Sequence, residues 1–556
     1  MAAPPIADSV QDALDRVLGP APDWSPSITR ARRDLLLPAL HAAHDAEGWL
    51  SPSTLAEIAA RLGLGRAEVF GVASFYGSFS LVPRPPQVRR VCIDVVCAAR
   101  GAVAPDGSDP AVVAAPCLGR CEAAPAVLET DGAAALDGQP AAPPVFQPAA
   151  SLRLLARAGT ARPTIDFDDY VARGGTRALA HAAAIGADAT RGAITDSGLV
   201  GRGGAAFPAG RKWDAVAAAS GTKYVIANAD ESEPGTFKDR VLLEHDPLGL
   251  IEAMAIAGWA VGAEHGYVYI RDEYPEARAR FADAIAVAHE AGLLGDDLLH
   301  VGGRFSLELR RGAGAYICGE ETALFNSIEG HRGEPRSKPP FPVAVGLFGR
   351  PTLVHNVETL ANVLRILDPD GSGTETKLFS VAGHVTRPGV YEVAMGTTLR
   401  ELLDLAGGVA GSGRLRAVLL GGAAGSFVGP EHLDVVLTAE ATRAIGATLG
   451  SGAVIVLDDE TDLEAVLLRI AAFFRDESCG QCVPCRVGTV RQEEALHRLA
   501  AGTPLGGSEE ELVRLHDVGN AMRDASICGL GQTAWNAVES AIVGLGVFGR
   551  SGSGSA

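Results

Sequence analysis

The chain has 556 residues, 47% of them hydrophobic and 21% charged, and a net charge of −19. That length predicts about three to five domains and a core large enough to need no disulfide staples. The acidic excess argues against nucleic acid or an anionic membrane surface as partner, since both attract basic patches. Met1 to Gly19 carries Asp8, Asp12 and Asp15 and has no apolar run, so it does not read as a secretory signal. Leu248 to Ala263, the most apolar helical stretch, contains Glu252 and is too short to span a bilayer. The expected location is cytoplasmic, without direct membrane insertion. There nine cysteines read as metal ligands or buried thiols rather than disulfides.

In chain order, residues 1–85 read as helices. Val10, Ala13, Leu14, Val17 and Leu18 share one helical face, and Thr54 with Glu57 suggests a capping box. His41 and His44, three apart, read as a solvated helix face rather than a metal pair. Val88 to Val96 is a β-branched run, and Ala133 to Pro148 reads as a surface connection. Tyr224–Ala227 and Tyr267–Ile270 read as short buried strands and Pro275–Ala291 as a helix, an α/β alternation that gathers ligands near strand ends. Leu378 to Val393 reads as β-rich around a Pro388–Gly389 turn, followed by a helix over Thr398–Ala406 and a strand over Ala417–Leu420. The last stretch reads as helices over Leu463–Phe474, Glu493–Ala500, Glu509–Met522 and Ala534–Ile542, with Glu509–Glu511 favourable at a helix N-terminus. Gly549 to Ala556 reads as a flexible tail.

Two kinds of motif carry chemistry. Cys479, Cys482 and Cys485 form C-x2-C-x2-C, and Cys528 follows after 42 residues. Four thiolates are what a [4Fe–4S] cluster needs. Zinc is the rival, but its sites more usually pair two C-x2-C knuckles. The second kind is a set of polar and glycine-rich segments. Ser197 to Trp213 holds Gly198, Gly201, Gly203, Gly204 and Gly210, which let backbone approach a phosphate or flavin ring, with Arg202 and Lys212 adding positive charge. Gly201, Gly203 and Ala206 fit G-x-G-x-x-A, but no strand is predicted before them, and a glycine turn packed on a helix is the alternative. Asn228, Asp230, Glu231 and Glu233 cluster after the Tyr224 strand, where an amide can hold a flavin edge and a carboxylate a ribose hydroxyl. A polar turn or helix cap is the alternative there. Gly312 to Thr322 adds Tyr316, Gly319, Glu320 and Glu321, and His355 to Thr359 adds Asn356 and Thr359. Cys318 reads as a buried structural or near-flavin thiol.

Taken together, Gly201–Trp213, Asn228–Arg240 (NADESEPGTFKDR), Gly312–Pro342, Asn356–Asn362 and Ser478–Arg486 (SCGQCVPCR) resemble the 51-kDa flavoprotein subunit of respiratory complex I and its relatives. The likeness runs from Asp166 to Phe548. It departs at Val200, Ala206 and Ala209, where the family usually has arginine, glycine and threonine. The N-terminal part resembles the family's separate 24-kDa thioredoxin-like [2Fe–2S] subunit, through Leu35–Phe79, Cys92-x4-Cys97 and Cys117-x3-Cys121. Only 19 residues separate those pairs, fewer than usual. An occupied [2Fe–2S] cluster, a degenerate structural domain and a zinc site therefore stay open there.

The resemblance implies a multidomain α/β and α+β protein. Its expected parts are a helical segment (1–85), a thioredoxin-like domain (86–160), a Rossmann-like FMN/NAD domain (161–373), a ubiquitin-like SLBB domain (374–446), a helical [4Fe–4S] bundle (447–548) and the tail (549–556). It also implies hydride exchange between NAD(H) and FMN, with single electrons passing to the clusters and no acid–base pair. Phe207 would stack near the dinucleotide. Glu231 and Glu320 would hold its polar groups, and a carboxylate there would favour NAD over NADP by repelling the 2′-phosphate. The fusion of both modules resembles the β subunit of soluble NAD-dependent formate dehydrogenases, with a molybdenum or tungsten partner and a 24-kDa-like iron–sulfur partner. It also resembles the diaphorase subunit of NAD-linked [NiFe] hydrogenases. A quinone-linked complex I fusion, and a non-enzymatic electron-transfer or assembly subunit with a vestigial flavin site, are the further alternatives.

Overall fold

A computed structural model of the chain describes residues 6–19, 32–132, 134–135, 144–148, 151–158, 165–371 and 375–549. Most of the Ala133–Pro148 connection, and all of the expected tail beyond Gly549, lie outside those residues.

The helix Asp8–Leu18 buries Val10, Ala13, Leu14 and Leu18, the apolar face its spacing predicts. The helix Pro52–Leu62 starts earlier than the Thr54–Glu57 pair suggests. Ser51 is its cap, accepting from the Thr54 amide, and Pro52 supplies the first turn. The solvated face expected for His41 and His44 is overturned: both are buried, against Phe79. His44 Nε2 accepts from the Ser80 amide at 3.2 Å. Spacing marked those histidines as outward, but the turn after residue 76 folds back over them.

Four strands follow: β1 (Gln87–Cys92), β2 (Val112–Ala115), β3 (Val127–Asp131) and β4 (Ala134–Ala135). They form one sheet in the order β2-β1-β3-β4, with β2 parallel to β1 and β3 antiparallel. The β-branched run breaks at Cys92 because Asp94 caps a short helix, Val95–Ala99.

The central domain is built on β5 (Tyr224–Ala229), β6 (His265–Ile270), β7 (Ser306–Arg311) and β8 (Thr352–Asn356). All pair parallel in the order β7-β6-β5-β8. The chain steps from β5 out to β7 and then returns to the far side of β5. The point where strand order reverses, between β5 and β8, is where such sheets open a crevice at their carboxyl ends. The helix Pro247–Val261 covers the sheet and is buried along nearly its whole length. Its Glu252 is buried too, accepting from the amides of Thr176 and Leu179 and from the Tyr170 hydroxyl. Among the described residues, no helix is long and apolar enough to cross a membrane.

The next unit has β9 (Thr376–Gly383), β10 (Gly389–Ala394), β11 (Leu415–Leu420), β12 (Ser426–Val428) and β13 (Ala453–Asp458), in the order β10-β9-β13-β11-β12. Central β9 and β13 run parallel. The sheet is buried on both faces. Phe379 and Val381 join its own core with Leu399 and Leu402, whereas Leu378 and Ala382 face the main core. β13 lies at the heart of this sheet, beyond the expected limit at 446, because its apolar run completes a pairing that β9 alone leaves open. Four longer helices close the chain: Leu463–Asp476, Val483–Ala500, Ser508–Ala525 and Asn536–Leu545. The second begins ten residues before the expected Glu493. In the third, Glu511 is buried and paired with Arg498 and Arg514.

Candidate functional site

The carboxyl ends of β5 and β8, where a parallel sheet with this strand order opens its crevice, gather the polar segments. Asn228 and Asn356 end adjacent strands and lie in register. Asn228 Nδ2 donates to the Gly319 carbonyl at 2.8 Å, fixing the 312–322 segment over the strand end. Asn356 caps the helix Val357–Leu367, and its Nδ2 donates to Asp239 Oδ2 at 2.6 Å. The glycine-rich loop runs from the helix Ala187–Asp196 to the helix Ala209–Ala218. No strand precedes it, so it is not a dinucleotide strand–turn–helix. It closes through the Gly201 amide on the Phe207 carbonyl at 2.9 Å and is pinned to β8's helix by the Arg202 amide on Thr359 Oγ1 at 2.9 Å. A side chain at Gly203 would put its Cβ 3.1 Å from Asn356 Cβ, and one at Gly319 would meet the Asp230 carbonyl at 3.3 Å. Both glycines keep the cradle open. Ala206 stands at φ +49°, the left-handed region that favours the glycine usual in this motif.

The carboxylates divide by what they face. Asp230 keeps one oxygen unpaired. Its Oδ2 is buried without a hydrogen-bond partner, and burial pushes its carboxyl well above the usual range. A buried, unsatisfied acceptor beside a glycine-lined cleft fits the hydroxyl-bearing chain of a bound flavin. Glu231 is not free. Its two oxygens accept from the amides of Asp239 and Arg240, at 2.9 and 3.0 Å, capping the helix Lys238–His245. Tyr274 donates to the same carboxylate at 3.1 Å. Burial and the neighbouring Asp239 push Glu231 up to about 8. Glu320 similarly caps its own helix through the amides of Thr322 and Ala323 and pairs with Lys338 at 2.8 Å. A ribose hydroxyl on either carboxylate would have to share oxygens that already accept these bonds. Glu231→Gln is therefore expected to cost stability first, about 1–3 kcal/mol for unsatisfied amide donors, measured by chemical denaturation. A changed NAD/NADP preference at unchanged stability would return the residue to the ribose.

The other predicted residues frame the mouth. Phe207 is half-exposed, with Arg211 and Lys212 over its ring. Lys212 pairs with Glu321 at 3.0 Å. Arg202 points inward, onto Glu375. Glu233 joins two walls: it accepts from the Tyr316 hydroxyl and from the Ala424 amide. The residues that sequence reasoning left without a role are Lys238, Asp239 and Glu358, a buried charge cluster, and Arg271 with Tyr274. The last two directly follow β6, so the strand-end logic that found Asn228 would have found them.

The four C-terminal thiols converge. Cys479 and Cys482 lie in the loop before the helix Val483–Ala500, and Cys485 sits in that helix's first turn. This helix and Ser508–Ala525 each have 18 residues and pack together, so the second returns the chain and brings Cys528 back to its start. A Cβ on Gly531 would lie 2.9 Å from Cys485 Cβ. Burial, with the nearby Cys482, Cys528 and Cys479, pushes the Cys485 thiol up to about 12. The N-terminal pairs converge as well. Cys92 ends β1, and its register partner Ala115 ends β2, so Cys117 emerges beside it. Cys117 and Cys121 Sγ are 3.5 Å apart, and the Ala126 amide donates to Cys97 Sγ at 3.3 Å. The parallel pairing of β1 and β2 makes the short connection sufficient. Among the described residues no three His, Cys, Asp or Glu side chains close on a single ion.

Both quartets touch the crevice walls. Arg271 donates to the Cys117 carbonyl at 2.5 Å and to the Glu231 carbonyl at 2.7 Å. On the other side the Tyr316 amide donates to Glu477 at 2.9 Å, two residues from Cys479, and Arg332 reaches the Cys479 carbonyl at 3.4 Å.

Below the crevice, Trp213 Nε1 donates to His355 Nε2 at 2.8 Å. Burial, with Lys212 nearby, lowers His355 to about 3, and burial lowers His44 and His245 likewise to about 3. Each folded value lies below the unfolded value of about 6.5. The unfolded state therefore binds the proton more readily, and stability present above pH 6.5 is lost as pH falls toward 3. Each histidine should cost about 1–2 kcal/mol by pH 5. The raised Glu231, Glu233 and Glu477 carboxyls act in the opposite sense over this range, so the histidine effect is read as a difference: between pH 7.5 and 5 the melting temperature of the wild type should drop relative to that of His355→Gln, and a constant difference counts against the assignment.

Comparison with known proteins gives four family matches. They are the Nuo51 FMN-binding domain over residues 194–365, the NADH-ubiquinone oxidoreductase-F iron–sulfur binding region over 465–544, a thioredoxin-like [2Fe–2S] ferredoxin over 26–106, and an SLBB domain over 378–425. The F subunit of the NADH-quinone oxidoreductase of Aquifex aeolicus is 43% identical over 407 residues, 71% of this chain and 93% of that protein. The HndC subunit of the NADP-reducing hydrogenase of Solidesulfovibrio fructosivorans is 42% identical over 383 residues, 67% of this chain and 77% of that protein. Among solved structures, a chain of the NAD+-reducing [NiFe]-hydrogenase in the H2-reduced state superposes with a TM-score of 0.77 at 32% identity. The match covers 93% of this chain and 94% of that one.

Proposed function

Because the chain belongs to the family of the complex I 51-kDa flavoprotein, the F subunit of NADH-quinone oxidoreductase, with a thioredoxin-like [2Fe–2S] domain fused ahead of it, we propose that it carries electrons between NAD(H) and a formate dehydrogenase partner of the molybdenum or tungsten type. The coarser function is that of an NAD(H)-linked flavin oxidoreductase subunit with FMN, [4Fe–4S] and [2Fe–2S] sites. When bound, FMN supplies the exchange between a two-electron hydride and the single electrons that clusters carry.

This chain's residues do the positioning. Gly203 and Gly319 would let backbone approach a bound flavin, Asn228 and Asn356 would hold it from paired strand ends, and Asp230 would offer its unpaired oxygen. Phe207, half-exposed at the mouth, would offer its ring to the dinucleotide. Tyr316 and Arg271 join these walls to the segments bearing Cys479 and Cys117. The observation that carries the reading is this contact: one crevice hydrogen-bonded on two sides to the backbone and flanking residues of two thiol quartets.

The formate reading leans on the overall layout and length of the chain, the fusion of both modules being shared with the hydrogenase reading. A second reading, a [NiFe] hydrogenase partner, is supported by the near-complete overlap with the hydrogenase chain. We place the complex in the cytoplasm. Purifying the complex through a tag on this chain separates the readings: molybdenum or tungsten with formate-dependent NAD+ reduction supports the first, and nickel with H2-dependent reduction the second. Absence of FMN together with absence of NADH–dye reductase activity overturns both.

A further inference from the structure

The flavin crevice is not held by the central domain alone. Each of its walls is bonded to the five-stranded unit that follows. Glu375, just before β9, pairs with Arg202 of the glycine-rich loop. On β9 itself, the Leu378 amide donates to Glu358 Oε1 at 2.9 Å, and Lys377 Nζ lies 3.8 Å from Glu358 Oε2. Ser380 accepts from the Phe237 amide at 3.0 Å, at the end of the acidic loop. The Ala424 amide holds Glu233 at 2.8 Å, and Ser451 lies 2.6 Å from Thr236 Oγ1.

The Lys377 contact reaches furthest. Glu358 is fully buried and shares Oε2 with Lys238 at 3.0 Å. Lys238 contacts Asp239 Oδ1 at 2.9 Å, and Asp239 Oδ2 takes the Asn356 amide. Every charged member of this chain has a side chain at most 4% exposed, so solvent cannot screen or replace a lost partner. We propose that Lys377 is a positioning residue for the flavin: the five-stranded SLBB unit, through Lys377, Glu358, Lys238 and Asp239, sets the orientation of Asn356 at the cofactor cleft. Glu375 does the same, more weakly, for the glycine-rich loop through Arg202. The SLBB unit is then part of the flavin site rather than an appended module. This rests on reading the crevice as the flavin site.

The test is FMN affinity of flavin-stripped full-length protein, read by quenching of FMN fluorescence. Lys377→Met should weaken FMN roughly 2- to 30-fold, the range for a residue acting through a network, and Lys377→Arg should restore most of it. The double variant Lys377→Met with Asn356→Ala should lose little beyond Asn356→Ala alone, because both act through one amide. Should Lys377→Met fold poorly, Glu375→Gln, at the half-exposed edge, should still weaken FMN by a few-fold at an unchanged melting temperature. Wild-type affinity in Lys377→Met, or simple addition of the two losses, overturns the proposal. Failure of wild-type stripped protein to take up FMN overturns instead the reading of the crevice, and the proposal with it.

Discussion

Replacing Cys528 with serine is expected to strip the chain of one cluster while leaving its other two cofactors in place. The residue begins a short helix where the return of Ser508–Ala525 brings it to Cys485, and a [4Fe–4S] cluster needs all four thiolates. Iron and sulfide should fall by about four atoms each per chain, with flavin content unchanged. NADH-driven reduction of a dye that meets the flavin directly should persist, whereas electron delivery to the partner should fall to background. The glycine-rich loop, Asn228 and Asn356 belong to the central domain and not to the helices that carry the thiols, so the flavin can stay when the cluster is lost. Flavin lost together with the iron would mean that the bundle is needed to form the crevice, and the proposed division of labour would not stand.

Gly203→Val is expected to have the converse effect. The first carbon of the new side chain would already lie 3.1 Å from Asn356 Cβ, and its two methyl groups must displace Asn356 or the loop. Overpacking of this kind costs about 1–3 kcal/mol, or roughly a 5- to 150-fold loss of FMN affinity if it is spent on the cleft. The clusters should remain. Gly192→Ala is the control: that glycine lies in the helix Ala187–Asp196 with nothing within 4 Å of an added Cβ, so alanine should be neutral or slightly stabilising through helix propensity. Full FMN affinity in Gly203→Val would remove the glycine loop from the site.

How much of this could be read without coordinates depends on the range of the interaction. Asn228 and Asp230 were legible because a short β-branched run followed by polar residues marks a strand's carboxyl end, and the crevice lies there. The Cys479 triplet was legible from its spacing alone. Glu231 and Glu320 were legible as carboxylates at the site but not in their direction. Each stands shortly before a helix, and whether such a side chain turns toward the helix amides or toward a ligand is settled by what else is packed around it. His41 and His44 misled for the same reason: their own helix offers no sign that Phe79 and Ser80 will cover them.

By itself the sequence determined the ligand types and several of the strands and helices, because these follow from periodicity and spacing within a few residues, and its long motifs carried the resemblance to the family. Only the tertiary structure decided that the two N-terminal cysteine pairs meet despite a short connection, that β13 completes the sheet begun by β9, and that Lys377 answers Glu358. Those facts depend on parallel strand register and on charges brought together from distant segments. Neither leaves a local trace, because a buried cation is recognised only by the anion that folding places beside it.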